Sequence, residues 1–583
     1  MQMNQPAPLN ALDDNRHGQI GRAADRVDGR LKVTGSAPYA YEVAESDAPA
    51  YGFVVGAEVS YGRITRIDSS EAEQVPGVLL VLTHRNVPKQ AAFTNEGDDR
   101  FARPFPCLVD DRVRHYGEAV AFVVATTFEQ ARAAGRLLQF SYAAEPGAYL
   151  LEDQLHKAVK PESADGYPPD SATGRFKSNF DKAMVQFDQV YRTPIQIHAQ
   201  MEPHASLAWW VDGRLVVHCS TQFVESAQKR VAATLMIEED QVRLVSRYIG
   251  GGFGGKLPVF ADVILSALAA RELGRPVKTA LTRRQMFELT THRGNTHQRV
   301  RLGADDRGVL SAIGHESWSQ GTPRHPFCEP AAVATRSLYA GAHRMTRQRT
   351  VALDLPAADS CRAPGEAVGL LALESAMDEL AHQLAIDPIE LRIRNEPAQD
   401  PEKKVPYSSR QLIACMQAGA KRFGWAERKM LPCQVRSGRW LIGVGMSAAS
   451  RGNLLQEAHA EVALRPDGVL QVRTAMTDLG TGSYTVFSQI AAEMLGMPLE
   501  QVRVELGDSD FPPSSGSGGS FGAASTGSAI FDGCTKLRAK LAKSAGIDVI
   551  EAAFADGQIS GSGRSRTLAS LAGKKGVVAK GLI

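Results

Sequence analysis

Up to about residue 145 the apolar positions come in short, β-branched runs. "GFVVGAEVS", "GVLLVLTH" and "EAVAFVVAT" predict strands, and "TFEQARAAGRLL" predicts a helix after the last of them. A polar stretch, "KPESADGYPPDSATGRFKSN", then reads as a linker over the surface. Beyond it one pattern occurs twice. "QVRLVSRYI" is a strand, "GGGFGG" a glycine loop, "LPVFADVILSALAAREL" a helix stopped at Gly274 before Pro276, and "PVKTALT" a strand. Likewise "LQVRTAM" is a strand, "TDLGTG" a loop, "SYTVFSQIAAEML" a helix stopped at Gly496 before Pro498, and "QVRVEL" a strand. Two glycine loops on two similar units predict one ligand held between related domains. Asp-Gly hairpins in "SLAWWVDGRLVVHCS" and "EVALRPDGVLQVRT" add antiparallel sheet. In "GEAVGLLALESAMDELAHQL", Leu370, Leu373, Met377, Leu380 and Leu384 fall on one helical face.

At 583 residues the chain exceeds one core, and the mixture of elements makes it an α+β multidomain protein. A net charge of +2 gives no electrostatic reason to expect nucleic acid or an anionic membrane. The first residues carry no secretory pattern, and no apolar run is long enough to cross a bilayer. The expectation is a cytoplasmic protein, or a periplasmic one exported with a signal-bearing partner. Seven cysteines are scattered without a C-x-x-C pair, so no iron-sulfur or zinc spacing occurs, and an electron-transfer cluster would sit on another subunit.

The loop "RYIGGGFGGKLP" satisfies G-x-G-x-x-G through Gly250, Gly252 and Gly255, and with Lys256 comes within one residue of a P-loop. Both readings fail at the residue that carries the chemistry. The second strand ends in Thr282, Arg283 and Arg284 rather than an acid for the ribose, and Leu257 follows the lysine where a P-loop has Ser or Thr. What remains is a glycine turn with Phe253 at its tip, leading into a helix whose first amides favour an anion.

"GGGFGGK" resembles the signature of the molybdopterin-binding large subunit of the xanthine dehydrogenase and aldehyde oxidase family. Further blocks occur in that family's order: "RVDGRLKVTGSAPYAYEV" and "YGEAVAFVVA" resemble its α/β hammerhead domain, and "MEPHA" the segment before the first cofactor domain. "CRAPGEAVGLLALESAMDELAHQLAIDPIELRIRNE" is similar to the arginine loop and helix of the bacterial aldehyde-oxidising branch, and "TDLGTGSYTVFSQIAAEMLG" and "GGSFGAASTGSAI" to second-domain loops. The resemblance implies a mobile arm at 1–24, a hammerhead at 25–145, a linker at 146–185, a first molybdopterin-binding domain at 186–400 and a second, incomplete one at 401–583.

It also implies a molybdopterin, in the cytosine dinucleotide form, whose dithiolene holds the molybdenum without protein ligands. Gly252, Phe253 and Gly254 would lie at its molybdenum end with Arg362 nearby. Gly480, Thr481 and Gly482, then Gly522, Ala523, Ala524 and Ser525, would bind the pterin and its phosphates. Arg451 would face substrate, and Gln196 would lie near the oxo ligand. The implied reaction oxidises aldehydes to carboxylic acids with water-derived oxygen and a glutamate base, passing electrons to [2Fe-2S] and FAD partner subunits. Xanthine or N-heterocycle hydroxylation, carbon monoxide oxidation and a non-catalytic binding subunit are the alternatives. For carbon monoxide, Cys361 does precede Arg362, but without the C-S-F-R order it reads as a small buried side chain. The family's base lies in a Gly-Glu segment late in the chain. Here the Gly-Glu pairs are Gly117-Glu118 and Gly365-Glu366, neither in that place by order, and Glu366 reads as first-turn helix charge. The expectation is a truncated product that lacks the base.

Overall fold

Each Asp-Gly hairpin opens one copy of the same unit. The computed structural model describes residues 9–43, 48–429, 431–452 and 454–583. Asp212 and Gly213 both turn at positive φ, 50° and 78°, as a two-residue hairpin connection requires. The first copy runs β1 (Ala205–Val211), β2 (Arg214–Cys219), α1 (Val224–Leu235), β3 (Val242–Val245), α2 (Ala261–Leu273), β4 (Val277–Ala280). The second runs β5 (His459–Leu464), β6 (Leu470–Thr474), α3 (Ser483–Leu495), β7 (Val502–Leu506), α4 (Gly522–Ala545) and, after a small three-stranded excursion, β8 (Val577–Leu582). The strand orders match, β3-β2-β1-β4 and β7-β6-β5-β8, with β2 parallel to β3 and β6 parallel to β7.

The repeat is therefore real but begins one helix earlier than the sequence pattern suggested. That pattern set β3–α2–β4 against β6–α3–β7. In the structure β3 and β4 lie two strands apart, and β2–α1–β3 is the counterpart of β6–α3–β7. Strand–loop–helix–strand reads the same whether the crossover lands on a neighbour or skips two strands, so patterning alone cannot distinguish them.

The hammerhead is not a free-standing layer. Its strands Ala50–Gly56, Ala119–Ala125 and Val78–Thr83 continue the first sheet beyond β4 into seven strands. Ala50, Val54, Leu82 and Phe122 thereby share one core with β1, β2 and α2, and residues 261–270 of α2 are all buried. A helix so covered is largely apolar on every face, with Asp262 and Ser266 the polar exceptions in that buried stretch. A five-stranded sheet built from Val185–Thr193, Thr296–Ala304, Leu310–Gly321, His343–Ala352 and Ser171–Thr173 packs against the helix Glu366–Gln383. That helix buries Leu370, Leu373, Met377 and Leu380, with Leu384 partly buried beside them.

Two expectations are corrected here. Residues 146–185 are not merely a linker: Ser171–Thr173 is an edge strand paired with His343–Ala352, and Phe176 and Phe180 are buried. Loop-forming residues hid a three-residue strand and a single helical turn, both too short for a periodic signal. The arm expected at 1–24 is, from residue 9 onward, strapped to α3. The Glu493 carboxylate accepts from the amides of His17 and Gln19 (2.9 and 3.0 Å), and Gln489 donates to the Gln19 carbonyl. Residues 1–8 lie outside the described residues. Among the described residues no helix is long and apolar enough to cross a membrane.

The two copies meet edge to edge just past β3 and β7. Val245 and Asp508 form an antiparallel bridge, the Ser246 amide donates to Gly507 (2.6 Å) and the Ser509 amide to Leu244 (2.9 Å). Arg243 closes the seam on Asp508 at 2.7 Å.

Candidate functional site

Where this seam opens, a cavity of about 950 Å³ collects loops from both copies and from the arginine loop. Phe253, Gly254, Arg362, Arg451, Thr481, Gly522 and Ala523 all line it, although they are up to 270 positions apart in sequence (523 − 253). Gln196 does not. It is exposed, on an isolated antiparallel bridge to Arg293.

The glutamine that holds the site is Gln222, in the turn after β2 and 3% exposed. Its Oε1 accepts from the amides of Gly254 (3.0 Å) and Lys256 (3.3 Å), and its Nε2 donates to the Ser517 carbonyl (2.6 Å). Its own carbonyl accepts from Thr477 Oγ1 (2.9 Å) and the Ser517 amide (3.0 Å). One residue, through side chain and backbone, thus ties the glycine loop of the first copy to two loops of the second.

The glycine loop is packed on every side. A Cβ on Gly250 would meet Glu202, one on Gly252 would meet Gln222, and one on Gly255 would meet His198. Gly254, at φ +100°, lies against the carbonyl of Ser360. Lys256 is fully buried and turned away from the cavity: its Nζ and the Gly250 amide share Glu202 Oε2, each at 2.7 Å. Burial lowers the Lys256 pKa while Glu202 works against that. The lysine that suggested a P-loop is an internal clamp, with no reach to a phosphate.

The loop does not open directly into a helix. α2 begins at Ala261, with the buried Asp262 in its first turn. Helix starts that lack both a side-chain cap and an acidic first turn belong to the second copy, since α1 and α2 carry Glu225 and Asp262 there. Neither α3 nor α4 has a side-chain cap or an acidic first turn, and both start at the cavity wall through Thr481 and Ser483, and through Gly522 and Ala523. Free first-turn amides beside a cavity are anion sites. Gly480 and Gly482 lie beside it at φ +104° and +87°, and the buried Asp478 accepts from the amides of Gly480 (2.7 Å), Gly482 (3.3 Å) and Tyr484 (3.4 Å), so the start of α3 is already engaged and α4 offers the open amides. Ser525 points inward instead, its Oγ accepting from the Gln456 amide, and Ala524 is half-buried.

Phe253 stands at the cavity's centre at φ +57°, 39% exposed. The exposed Arg362 lays its guanidinium over the ring at 5.6 Å, and its amide donates to the Phe253 carbonyl (2.8 Å). Beneath, the buried Arg293 donates to the carbonyls of Cys361 and Arg362, both at 2.7 Å, and pairs with Glu329 at 3.1 Å. Cys361 is buried, and burial raises its thiol pKa. Asp359 anchors the near end of the loop. Burial alone would raise its carboxyl, but Arg100 (2.9 Å) and His325 hold it well below the usual carboxylate range. Arg451 faces the cavity paired to Glu366 at 2.6 Å, so the helix-start glutamate and the expected substrate arginine form one polar unit. Glu118 is far from this wall, paired with Arg114 at 2.9 Å.

Gln222, Glu202 and Asp478 escaped the sequence reading. The first and last were readable in principle: each follows a threonine directly after the strand that leaves an Asp-Gly hairpin, "STQF" and "MTDL". Superposing the repeats from their hairpins brings them together.

The residues fit a molybdopterin. The uncapped start of α4 faces the cavity, and the glycine loops leave backbone bare. Models of a molybdopterin cofactor-binding domain match residues 155–396 and 418–582, and a model of the aldehyde oxidase and xanthine dehydrogenase a/b hammerhead domain matches 34–146. The chain is 46% identical, over 97% of its length and 76% of the relative's, to the aldehyde oxidoreductase molybdenum-binding subunit PaoC of Escherichia coli K12. It is 29% identical to the xanthine dehydrogenase molybdenum-binding subunit of Escherichia coli O157:H7, over 84% and 68%. The aldehyde oxidoreductase of Desulfovibrio gigas superposes with a TM-score of 0.80 at 25% identity, over 96% of this chain and 62% of that one.

Proposed function

Because the chain belongs to the molybdopterin-binding large subunits of the aldehyde oxidase and xanthine dehydrogenase family, we propose that this oxidoreductase subunit oxidises aldehydes to carboxylic acids with oxygen taken from water. One observation supports the reading: Phe253, Gly254, Arg362, Arg451, Thr481, Gly522 and Ala523, all named by resemblance, line one cavity in a chain 46% identical to an aldehyde oxidoreductase subunit.

When bound, the cofactor supplies a two-electron redox centre for hydroxylation. The protein's own work is positioning. The first amides of α4 and the loop through Thr481 would hold the pterin and its phosphates, and Gln222 fixes the glycine loop beside them. Phe253, locked at positive φ, gives a flat apolar wall, with Arg362 stacked on it as a fixed cation. The Arg451–Glu366 pair supplies the polar side of the substrate space, where a guanidinium can polarise a carbonyl oxygen. The name molybdenum-binding subunit, shared by the relatives, supports a division of labour in which partner subunits carry [2Fe-2S] and FAD. A cytosine dinucleotide form of the cofactor belongs to the same proposal.

The test is production in a host that makes molybdenum cofactor, followed by assay of molybdenum, released nucleotide and dye reduction with benzaldehyde or xanthine. The expected result is bound molybdenum and released cytosine nucleotide, with any reduction driven by benzaldehyde rather than xanthine, since neither Gly-Glu pair of these 583 residues stands in the place of the family's base. Reduction by xanthine alone would overturn the substrate reading; a chain without molybdenum would overturn the site.

A further inference from the structure

A second cavity, of about 370 Å³, lies between the hammerhead and the first copy, and Arg100 is the single residue that lines both cavities. Its wall is largely apolar, with Phe93, Phe105, Leu108, Phe260, Leu289 and Leu355. Such a lining ordinarily excludes unpaired charge, yet two guanidinium groups enter it unpaired.

Arg230, on α1, is 4% exposed. It donates to the carbonyls of Val259 (3.2 Å) and Arg100 (2.7 Å), its Nε has no acceptor, and no carboxylate pairs with it among the described residues. Its nearest compensation is the ring of Phe105 at 5.6 Å. Arg324, half-buried, lies over Phe93 at 5.4 Å and makes neither ion pair nor hydrogen bond among the described residues. Both guanidinium-bearing residues line the same cavity, together with the buried Cys107. The neighbouring carboxylates are engaged elsewhere, Glu118 and Asp110 with Arg114, and Asp165 and Asp359 with Arg100.

A buried cation without a directly paired counter-ion is costly, and neither guanidinium has one among the described residues, Glu118 and Asp110 acting on Arg324 without contact. We propose that this cavity is a second ligand site, separate from the cofactor cavity, for an amphipathic monocarboxylate. The carboxylate would sit between Arg230 and Arg324, with an aromatic or short acyl body against Phe93, Phe105 and Phe260. The volume falls in the range of small-molecule sites. The ligand is of the class that the proposed reaction releases, but the site stands on its own residues and is read by binding alone.

Benzoate is the probe, titrated calorimetrically into the full chain, with benzyl alcohol as the uncharged counterpart. Benzoate is expected to bind at least about tenfold tighter than the alcohol, the ratio set by one charge-assisted contact. Arg324→Gln should weaken it by a similar factor, Arg324→Lys should restore part of the loss, and Arg362→Gln, in the other cavity, should leave it unchanged. Arg324 is half-exposed, and a thermal melt matching the parent confirms the fold of each variant. Absence of benzoate binding, equal binding of the alcohol, indifference to Arg324→Gln, or loss with Arg362→Gln each overturns the proposal. Because none of these readouts uses turnover, they are separable from failure of the aldehyde assay.

Discussion

Replacing Gly254 by alanine tests whether the glycine loop is held by its neighbours or merely tolerated as a turn. The new Cβ would lie 2.9 Å from the Ser360 carbonyl carbon, closer still to its oxygen, and 3.3 Å from Cys361 Cα. These are backbone atoms of the arginine loop, which Arg293 and Asp359 fix from behind, so the glycine loop must move. Strain at φ +100° costs about 1–3 kcal/mol, and overpacking against rigid backbone adds about 1–3 kcal/mol. Gly480→Ala is the matched control: φ is +104°, but its Cβ meets nothing within 4 Å, so only the strain applies. Thermal melts of both variants, with molybdenum per chain measured after desalting, separate the two terms. Gly254→Ala should melt well below Gly480→Ala and retain little metal, because Phe253 and Arg362 shift with the loop. Equal melting points would refute the claim that the Ser360 contact fixes the loop.

The remaining predictions concern the clamps around it. Lys256→Met strands the Glu202 carboxylate in a buried position and should cost about 3–5 kcal/mol in urea unfolding, and adding Glu202→Gln should recover a large part; a double variant no better than the single would contradict the pairing. Gln222→Ala leaves the amides of Gly254 and Lys256 without acceptors and should cost about 2–4 kcal/mol together with loss of molybdenum; retained stoichiometric metal would show that Gln222 does not tie the loops. Burial holds the Asp262 carboxyl up at about 7, and its Oδ1 has no partner. The unfolded chain ionises from about pH 4, so the wild type loses stability between pH 4 and 7. Asp262→Asn should therefore melt higher at pH 8, by a margin on the order of 4 kcal/mol, and match the wild type near pH 4. A gap independent of pH would exclude Asp262 as its source.

The legible parts of this molecule were those encoded locally. The hairpins, the long helices with their Gly-then-Pro stops, and the identity of the glycine and arginine loops stand in short stretches of sequence. What stayed hidden depends on contacts between distant segments. Leu257 already excluded a P-loop at Lys256, but nothing near the lysine in sequence announces Glu202 as its partner. Gln196 was preferred over Gln222 because burial and the three loops meeting at Gln222 are tertiary facts. The continuous seven-stranded sheet was invisible for the same reason: Ala50–Gly56 pairs with β4, about 227 positions away in sequence (277 − 50).

The corrected repeat also explains where the cavity lies. In each copy two parallel strands, β2 and β3 or β6 and β7, end on the same side of their sheet. The segments that leave them carry Gln222 and Phe253 in one copy, and Thr481 and residues 514–523 in the other. Crevices at the carboxyl ends of parallel strands are where open sheets bind ligands. A single unit offers only half a crevice. Joining two copies edge to edge, at Val245 and Asp508, puts the loops of both around one space. The copies then divide the work by chemistry: the first contributes the packed glycine loop and its aromatic wall, and the second contributes the free helix amides that an anionic cofactor needs. Disrupting the seam should therefore remove cofactor affinity without touching a lining residue. Asp508→Asn, which weakens the bond to Arg243, is the mildest such change. It should lower molybdenum retention while Phe253, Arg362 and both helix ends remain intact, and unchanged retention would show that the cavity does not depend on the seam.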